Sequence, residues 1–427
     1  MELKNDAPEW SPVKRLLFRF VFAYFVLFIF PFPLNVIPGV QMIMQPYQNF
    51  WDSMVPSIGA RLFDVQITEV DPNGSGDRTY DYVLVFCYAA LALVAAVCWT
   101  ILDRRRKNYE RLYQWLRVYV CFYLAVIMLS YGGYKAIKSQ FSHPSLHRLL
   151  QPVGEMSPMG LLWTFMGASD SYTIFTGLGE MLGGLLLASR RTRLLGALVC
   201  IAVLVNVVML NFSYDVPVKI FSAHLLAMAV FLTLPDLRRL ASFFIFNRTA
   251  EPAEIRPLFA RPLLHRGSLV FRALFILGFA GLALYQSWSA RKQYGDAAPR
   301  PPLYGIWNVE EFALDGQVRP PLLTDKERWR RVVFSRVGQM SLYGMESPRQ
   351  SFAMKLDPMK RTLEINRMGD PKKKSVLAFQ RSGADLLTME GTFEGKKVRA
   401  RLRRTDENSF ELVNRGFHWI NEYPRNL

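Results

Sequence analysis

Only four cysteines occur in 427 residues: Cys87, Cys98, Cys121 and Cys200. All lie inside apolar runs, none falls beyond Cys200 and no C-x-x-C is present, which argues against a disulfide framework and against paired-thiol redox chemistry. Cysteines in such runs act as small packing residues. Histidine is also scarce, five in all. His143 and His147 stand four apart, but Pro144 interrupts them and no nearby carboxylate completes a triad, so no metal site is expected. The chain also lacks a Gly-Lys phosphate loop, a nucleophile elbow and a dinucleotide fingerprint.

Acidic residues are outnumbered, 35 against 52 basic, for a net charge of +17. An excess of this size suits a nucleic-acid partner when it forms a patch. Here it falls in clusters at alternate ends of long apolar runs: Arg104, Arg105, Arg106 and Lys107; then Arg190, Arg191 and Arg193; then Arg238, Arg239, Arg248, Arg256, Arg261 and Arg266. That placement is what positive-inside topology produces, and it leaves no role for nucleic acid. Hydrophobic residues make up 51% of the chain and aromatics 14%. They divide it into two regions: residues 1–290 carry the apolar runs, and the rest alternates charged and apolar residues.

The predicted fold class is therefore a multi-span α-helical membrane bundle followed by a C-terminal antiparallel β-barrel domain. Seven spans are expected, at 16–34, 82–102, 115–134, 171–189, 194–212, 219–235 and 268–288, each near the roughly 20 residues a bilayer requires. The first resembles a signal sequence but no small-x-small site follows it, so it reads as uncleaved. With the N-terminus cytoplasmic, the Arg-rich connections all fall inside the cell. The connections 35–81 and 135–170 and the C-terminal domain fall outside, in the periplasm or cell exterior of a protein of the cytoplasmic (inner) membrane. Segment 47–63 places Phe50, Trp51, Met54, Val55, Ile58, Leu62 and Phe63 on one helical face, for a helix on the membrane interface or across the bundle mouth.

Residues 291–302, with Pro299, Pro301 and Pro302, form a semi-rigid linker. Beyond them Val398, Ala400 and Leu402 alternate with Lys397, Arg399, Arg401 and Arg403, a strand with one wet face. Similar runs at 304–313, 328–337, 339–345, 351–357, 361–367, 375–381, 385–393 and 409–414, joined by short turns, predict a meander closed into a barrel over 303–427. Closure also removes the unpaired edges of an open sheet.

Ionisable groups inside a bilayer are expensive and each requires an explanation. At about 1.5 Å of rise per residue, Glu180 lies roughly 14 Å below the outer surface, Asn206 roughly 9 Å and His224 roughly 8 Å. They occupy three successive spans and can face one polar pocket, with Asp215 and Lys219 at its lip. In that reading Glu180 is the acid/base, His224 a relay and Asn206 a ligand. The alternative is a protonated Glu180 hydrogen-bonded across helices that the surrounding glycines allow to approach closely. Asp215 and Lys219 also suit a plain i,i+4 pair. Tyr134 suits the interfacial aromatic belt, while Lys135 and Lys138, basic on the outer side, suit an anionic ligand.

Gly177-x-x-Glu180-x-x-Gly183-Gly184, the Arg190-Arg191-Thr192 turn, Asn206, Asn211, Tyr214-Asp215-Val216-Pro217 and Lys219 together resemble the DoxX-like membrane proteins, over about residues 110–240. Members are similar to small membrane subunits of thiosulfate:quinone oxidoreductases or to partners in membrane thiol-redox complexes. The resemblance implies a helical bundle that touches quinone; with no cofactor motif evident in the chain, electrons would come from a redox partner subunit. This chain is longer than the compact four-helix form. Gly305-Ile306-Trp307 resembles the Gly-x-Trp of lipocalin-like barrels, which implies an arginine over the Trp ring, Arg415 or Arg403. Three functions are open to such a chain: a quinone-linked oxidoreductase subunit, a binding or transport module for an apolar ligand, and a non-catalytic scaffold for a periplasmic complex.

Overall fold

The computed structural model describes residues 9–37, 39–252, 261–346, 348–367 and 370–426; Arg256 of the third basic cluster lies outside them. The chain forms two compact units. One comprises residues up to Ile137 together with Ser171–Ser287, the other Lys138–Asp170 together with residues from Trp288 on. Segment 138–170, which falls within the 1–290 expected as the helical domain, groups with the barrel.

The first unit is helical. Helix α1 (Pro12–Ile29) starts at Ser11, whose hydroxyl accepts from Lys14 N, with Pro12 in the first turn where its missing N–H is harmless. It is followed by α2 (Val40–Phe63), α3 (Thr79–Leu102) and α4 (Glu110–Ala136). After the short helices α5 (Leu146–Leu150) and α6 (Pro158–Ala168) of the other unit come α7 (Asp170–Leu187), α8 (Arg193–Ser213), α9 (Lys219–Thr233), α10 (Leu237–Phe244) and α11 (Pro262–Gln293). Among the described residues five helical stretches are long and apolar enough to cross a membrane: α3, α4, α8, α9 continuing through α10, and α11.

Two of the seven expected spans fall short. That at 16–34 is α1, which carries Lys14, Arg15 and Arg19 within 18 residues. That at 171–189 is α7, where Asp170, Glu180 and four glycines dilute the apolar content. The expected linker at 291–302 is shortened as well, since α11 runs on to Gln293. The spans keep large apolar side chains on their outer faces, among them Leu93, Val94 and Leu102 of α3 and Phe271 and Leu274 of α11. Apolar surface on this scale is the signature of a membrane protein.

In α2 the expected apolar face is divided. Trp51 and Val55 are buried against Tyr80, Val83 and Tyr88 of α3, whereas Phe50, Met54, Leu62 and Phe63 are exposed.

The second unit holds an antiparallel sheet of strands β1 (Gly305–Leu314), β2 (Gln317–Val318), β3 (Trp329–Arg336), β4 (Gln339–Gly344), β5 (Gln350–Asp357), β6 (Thr362–Arg367), β7 (Asp370–Ser382), β8 (Leu386–Phe393) and β9 (Lys396–Thr405). The order is a meander, and β1 pairs with β9 from Ile306↔Thr405 to Leu314↔Val398, so eight strands close a barrel while the two-residue β2 pairs only with β1. Tight turns at Asp315-Gly316 and Glu394-Gly395 have positive φ at both residues, the geometry that matches strand twist.

The interior is filled by its own side chains, with Trp307, Phe312, Phe334, Phe352, Leu363, Leu377 and Leu402 essentially inaccessible. The strand expected at 409–414 is instead the single helical turn α12 (Glu411–Asn414). Beyond it Phe417, Trp419, Ile420 and Tyr423 are all more than 75% exposed, so the tail does not plug the barrel.

The arginine over Trp307 is neither Arg415 nor Arg403. Arg381 of β7 lies 6.0 Å from the ring, and the indole Nε1 donates to Leu303 O at 2.8 Å. Period two explains the correction: Leu402 points inward, so Arg403 points out, where it pairs with Glu310. Arg415 lies by Glu411 and Asn421.

Candidate functional site

The site is built at a backbone-to-backbone crossing of α4 and α7. A Cβ at Gly132 would lie 2.7 Å from Gly177 O, and one at Gly177 would lie 2.6 Å from Gly132 O and Ala136 N. Only glycine allows this approach. Three residues along each helix from its glycine, on the same face, stand Lys135 and Glu180. They meet as a buried ion pair, 8% and 3% exposed, in which the Lys135 ammonium donates to Glu180 Oε1. Glu180 Oε2 is buried without a hydrogen-bond partner. A pair so withdrawn from water is held at considerable desolvation cost, which its mutual attraction offsets. Chemically it offers a proton donor, an acceptor and one free acceptor position.

Gly184 extends the α4–α7 contact, its hypothetical Cβ 3.0 Å from Ala125 O, while Gly183 abuts Cys200 of α8 and Gly196 abuts the backbone of Leu186 and Leu187. The glycines seen in sequence thus hold α4, α7 and α8 together around Glu180. Asn211 of α8 is buried and donates to Ser222 Oγ of α9 at 3.0 Å.

The remaining predicted residues separate. His224 accepts or donates at Tyr24 Oη (2.6 Å) through Nε2, and its Nδ1 faces Ile220 O at 2.7 Å. Its ring stacks on Phe28 of α1 with centroids 4.1 Å apart. Asn206 is exposed on the outer face of α8. Tyr134 makes an edge-on contact with Tyr131 at 6.2 Å.

Asp215 and Lys219 form an i,i+4 pair at 2.8 Å, and Lys219 also reaches Asp77 at 3.7 Å. Asp77, which sequence reasoning did not single out, accepts from the first backbone N–H groups of α9, Lys219 N at 2.8 Å and Ile220 N at 2.9 Å. It acts as a helix cap supplied by a distant loop. A second missed network joins Arg19, Thr100, Asp103 and Tyr109: Arg19 donates to Tyr109 Oη (2.7 Å) and Thr100 Oγ1 (2.7 Å), and Tyr109 Oη donates to Asp103 at 2.9 Å. The signal for it was a lone arginine in an aromatic run.

In the second unit, Lys138 is 3% exposed, pairs with Asp170 and donates to Gly167 O at 3.3 Å; His143 Nε2 lies 3.3 Å from the same aspartate. His147 of α5 lies between Tyr343 Oη at 2.9 Å and Ser335 Oγ at 3.1 Å, strapping the segment to the barrel wall beside Leu146, which packs on Ile306 and Val333. Burial, and then the fields of Arg349 and Arg336, push the His147 pKa from 6.5 down to about 4. Among the described residues no three His, Cys, Asp or Glu side chains gather as a metal site.

Fold and site together define a class: a helical membrane bundle joined to a closed antiparallel barrel, with a buried acid–ammonium pair inside the bundle. No protein-family model matches the sequence, and no solved structure matches it. The chain is 30% identical over 148 residues to the uncharacterized protein YwoB of Bacillus subtilis (strain 168), a match covering 33% of this chain and 86% of YwoB. The chain belongs to the YwoB family.

Proposed function

We propose that the chain is a subunit of a membrane oxidoreductase complex of the DoxX-like type, and that its helical unit manages protons for a quinone-linked reaction whose electrons come from a partner subunit. The observation that carries this reading is the buried Lys135–Glu180 pair with Glu180 Oε2 unpartnered. Reducing a quinone to a quinol consumes two electrons and two protons. A ring oxygen takes such a proton from a general acid held within hydrogen-bond reach of it. The Lys135 ammonium or a protonated Glu180 fills that role, and the free Oε2 is the position through which the proton is replaced. His224 and Asn206, placed elsewhere on the bundle, act with this pair only through other groups.

The orientation stays that of the basic loops: N-terminus cytoplasmic, barrel periplasmic or extracellular, in the inner membrane. That orientation counts α1 and α7 as crossings beside the five long apolar stretches, so that four crossings separate 138–170 from the barrel and leave both, as one unit, on the same side of the bilayer. The scaffold reading draws support from the exposed aromatic tail at Phe417, Trp419 and Tyr423. Capture of an apolar ligand draws none from the barrel, whose lipocalin-like start encloses packed side chains.

The test is an organic extract of the full-length protein purified in detergent. Quinone at a defined ratio, lost with Glu180→Gln and Lys135→Met, is expected. An extract without quinone, together with unchanged respiration in a Glu180→Gln strain, overturns the proposal.

A further inference from the structure

At the end of the helical unit where α4 and α8 begin, four arginines converge from three parts of the chain. Arg117 lies in α4, Arg190 in the turn before α8, Arg193 at the first position of α8 and Arg272 in α11. Arg193 and Arg272 are each only 8% exposed and line one crevice with Cys121, Leu187, Ala188 and Ile276. Arg117, Arg190 and Arg272 each lie in the positive field of at least one other member. Among the described residues the acid whose field reaches the cluster, Asp236 near Arg117, is already paired with Arg239. Nε of Arg193 and Nε of Arg117 are buried without an acceptor.

Like charges withdrawn from water repel one another, and an unmet guanidinium N–H adds to the penalty. Such a group persists where an anion completes it. Arginine forks match the planar spacing of carboxylate and phosphate oxygens, and the amino end of α8 adds its own positive pole. The crevice has room for about one water-sized atom, which suits a single oxygen of an oxyanion seated at its mouth and excludes an organic skeleton.

We propose that Arg117, Arg193 and Arg272, with Arg190 beside them, form a binding site for a phosphate-class oxyanion that bridges α4, α8 and α11. The oxyanion belongs either to a phospholipid headgroup or to free phosphate. The site is separate from the Lys135–Glu180 pair and does not rest on the quinone reading.

The experiment measures thermal unfolding of the full-length protein in a neutral detergent. Three additions are compared at matched ionic strength: inorganic phosphate, phosphatidylglycerol and phosphatidylcholine, with sodium chloride as the screening control. Stabilisation by phosphate beyond sodium chloride identifies a free oxyanion. Stabilisation by phosphatidylglycerol but not by phosphatidylcholine or phosphate identifies a lipid headgroup.

Either result, with apparent affinity about tenfold weaker in Arg193→Gln and Arg272→Gln, supports the site. Arg193→Lys, which keeps the charge and loses the fork, is expected to bind with intermediate affinity and covers the case of a Gln variant that fails to fold. Equal effects of all additions and sodium chloride, or unchanged affinity in every variant that folds, overturns it.

Discussion

Glycine and the charged residue three positions on from it act together at the α4–α7 crossing. The two helices touch at Gly132 and Gly177, and that contact brings Lys135 and Glu180 within bonding reach. Gly177→Ala would drive a Cβ into Gly132 O and is expected to destabilise the protein by about 1–3 kcal/mol. Gly133→Ala, whose Cβ would sit 3.6 Å from Ser287 Oγ, an ordinary contact, is the control and should leave the melting temperature nearly unchanged in detergent. Removing one member of the pair strands the other: Lys135→Met should cost about 3–5 kcal/mol, and pairing it with Glu180→Leu should recover most of that loss. Recovered stability without recovered quinone content would separate the structural role of the pair from its chemical one.

Short elements outside the spans show what the period-two and period-3.6 patterns do not carry. Helix α5 has five residues, too few to form by itself, and is held to the barrel by His147 and Leu146. Its anchor is pH-dependent. The unfolded chain protonates His147 near its ordinary 6.5, whereas the folded chain resists until about pH 4. The unfolded state therefore binds more protons in that interval. The contribution is complete above about pH 6.5 and declines as the pH falls toward 4. Amide exchange across 146–150, corrected for intrinsic rates, should lose protection over that interval, and His147→Gln should flatten the dependence. A pH-independent protection in the native protein would contradict the anchor.

At the scale of the whole molecule the testable statement is sidedness. In a background with the native cysteines replaced, single cysteines at Gln151 and at Lys360 should label with an impermeant reagent from the same side of the membrane, because 138–170 and the barrel form one unit. A periplasm-active reporter fused after Leu427 should be active, and silence would reverse the orientation while leaving the same-side result intact.

Patterns whose physics is local were legible in the amino-acid order. Sustained apolar runs between arginine clusters marked the five long helices, since a bilayer selects on length and hydropathy alone. Strict alternation marked the barrel strands, with β9 burying Val398, Ala400 and Leu402 as the pattern required. Glu180 stood out because an acid in an apolar run is costly wherever the chain goes.

What depended on distant approach was not legible. Lys135 as the partner of Glu180, Asp77 as the cap of α9, Tyr24 as the partner of His224 and Arg381 rather than Arg403 over Trp307 all join residues more than 40 positions apart. Segment 138–170 carries no period that says which unit it belongs to, and α5 is too short to have one. The amino-acid sequence by itself determined which stretches need lipid and which need water. Only the tertiary structure decided which polar groups meet, because a buried charge takes its partner from whatever the close packing of helices brings beside it.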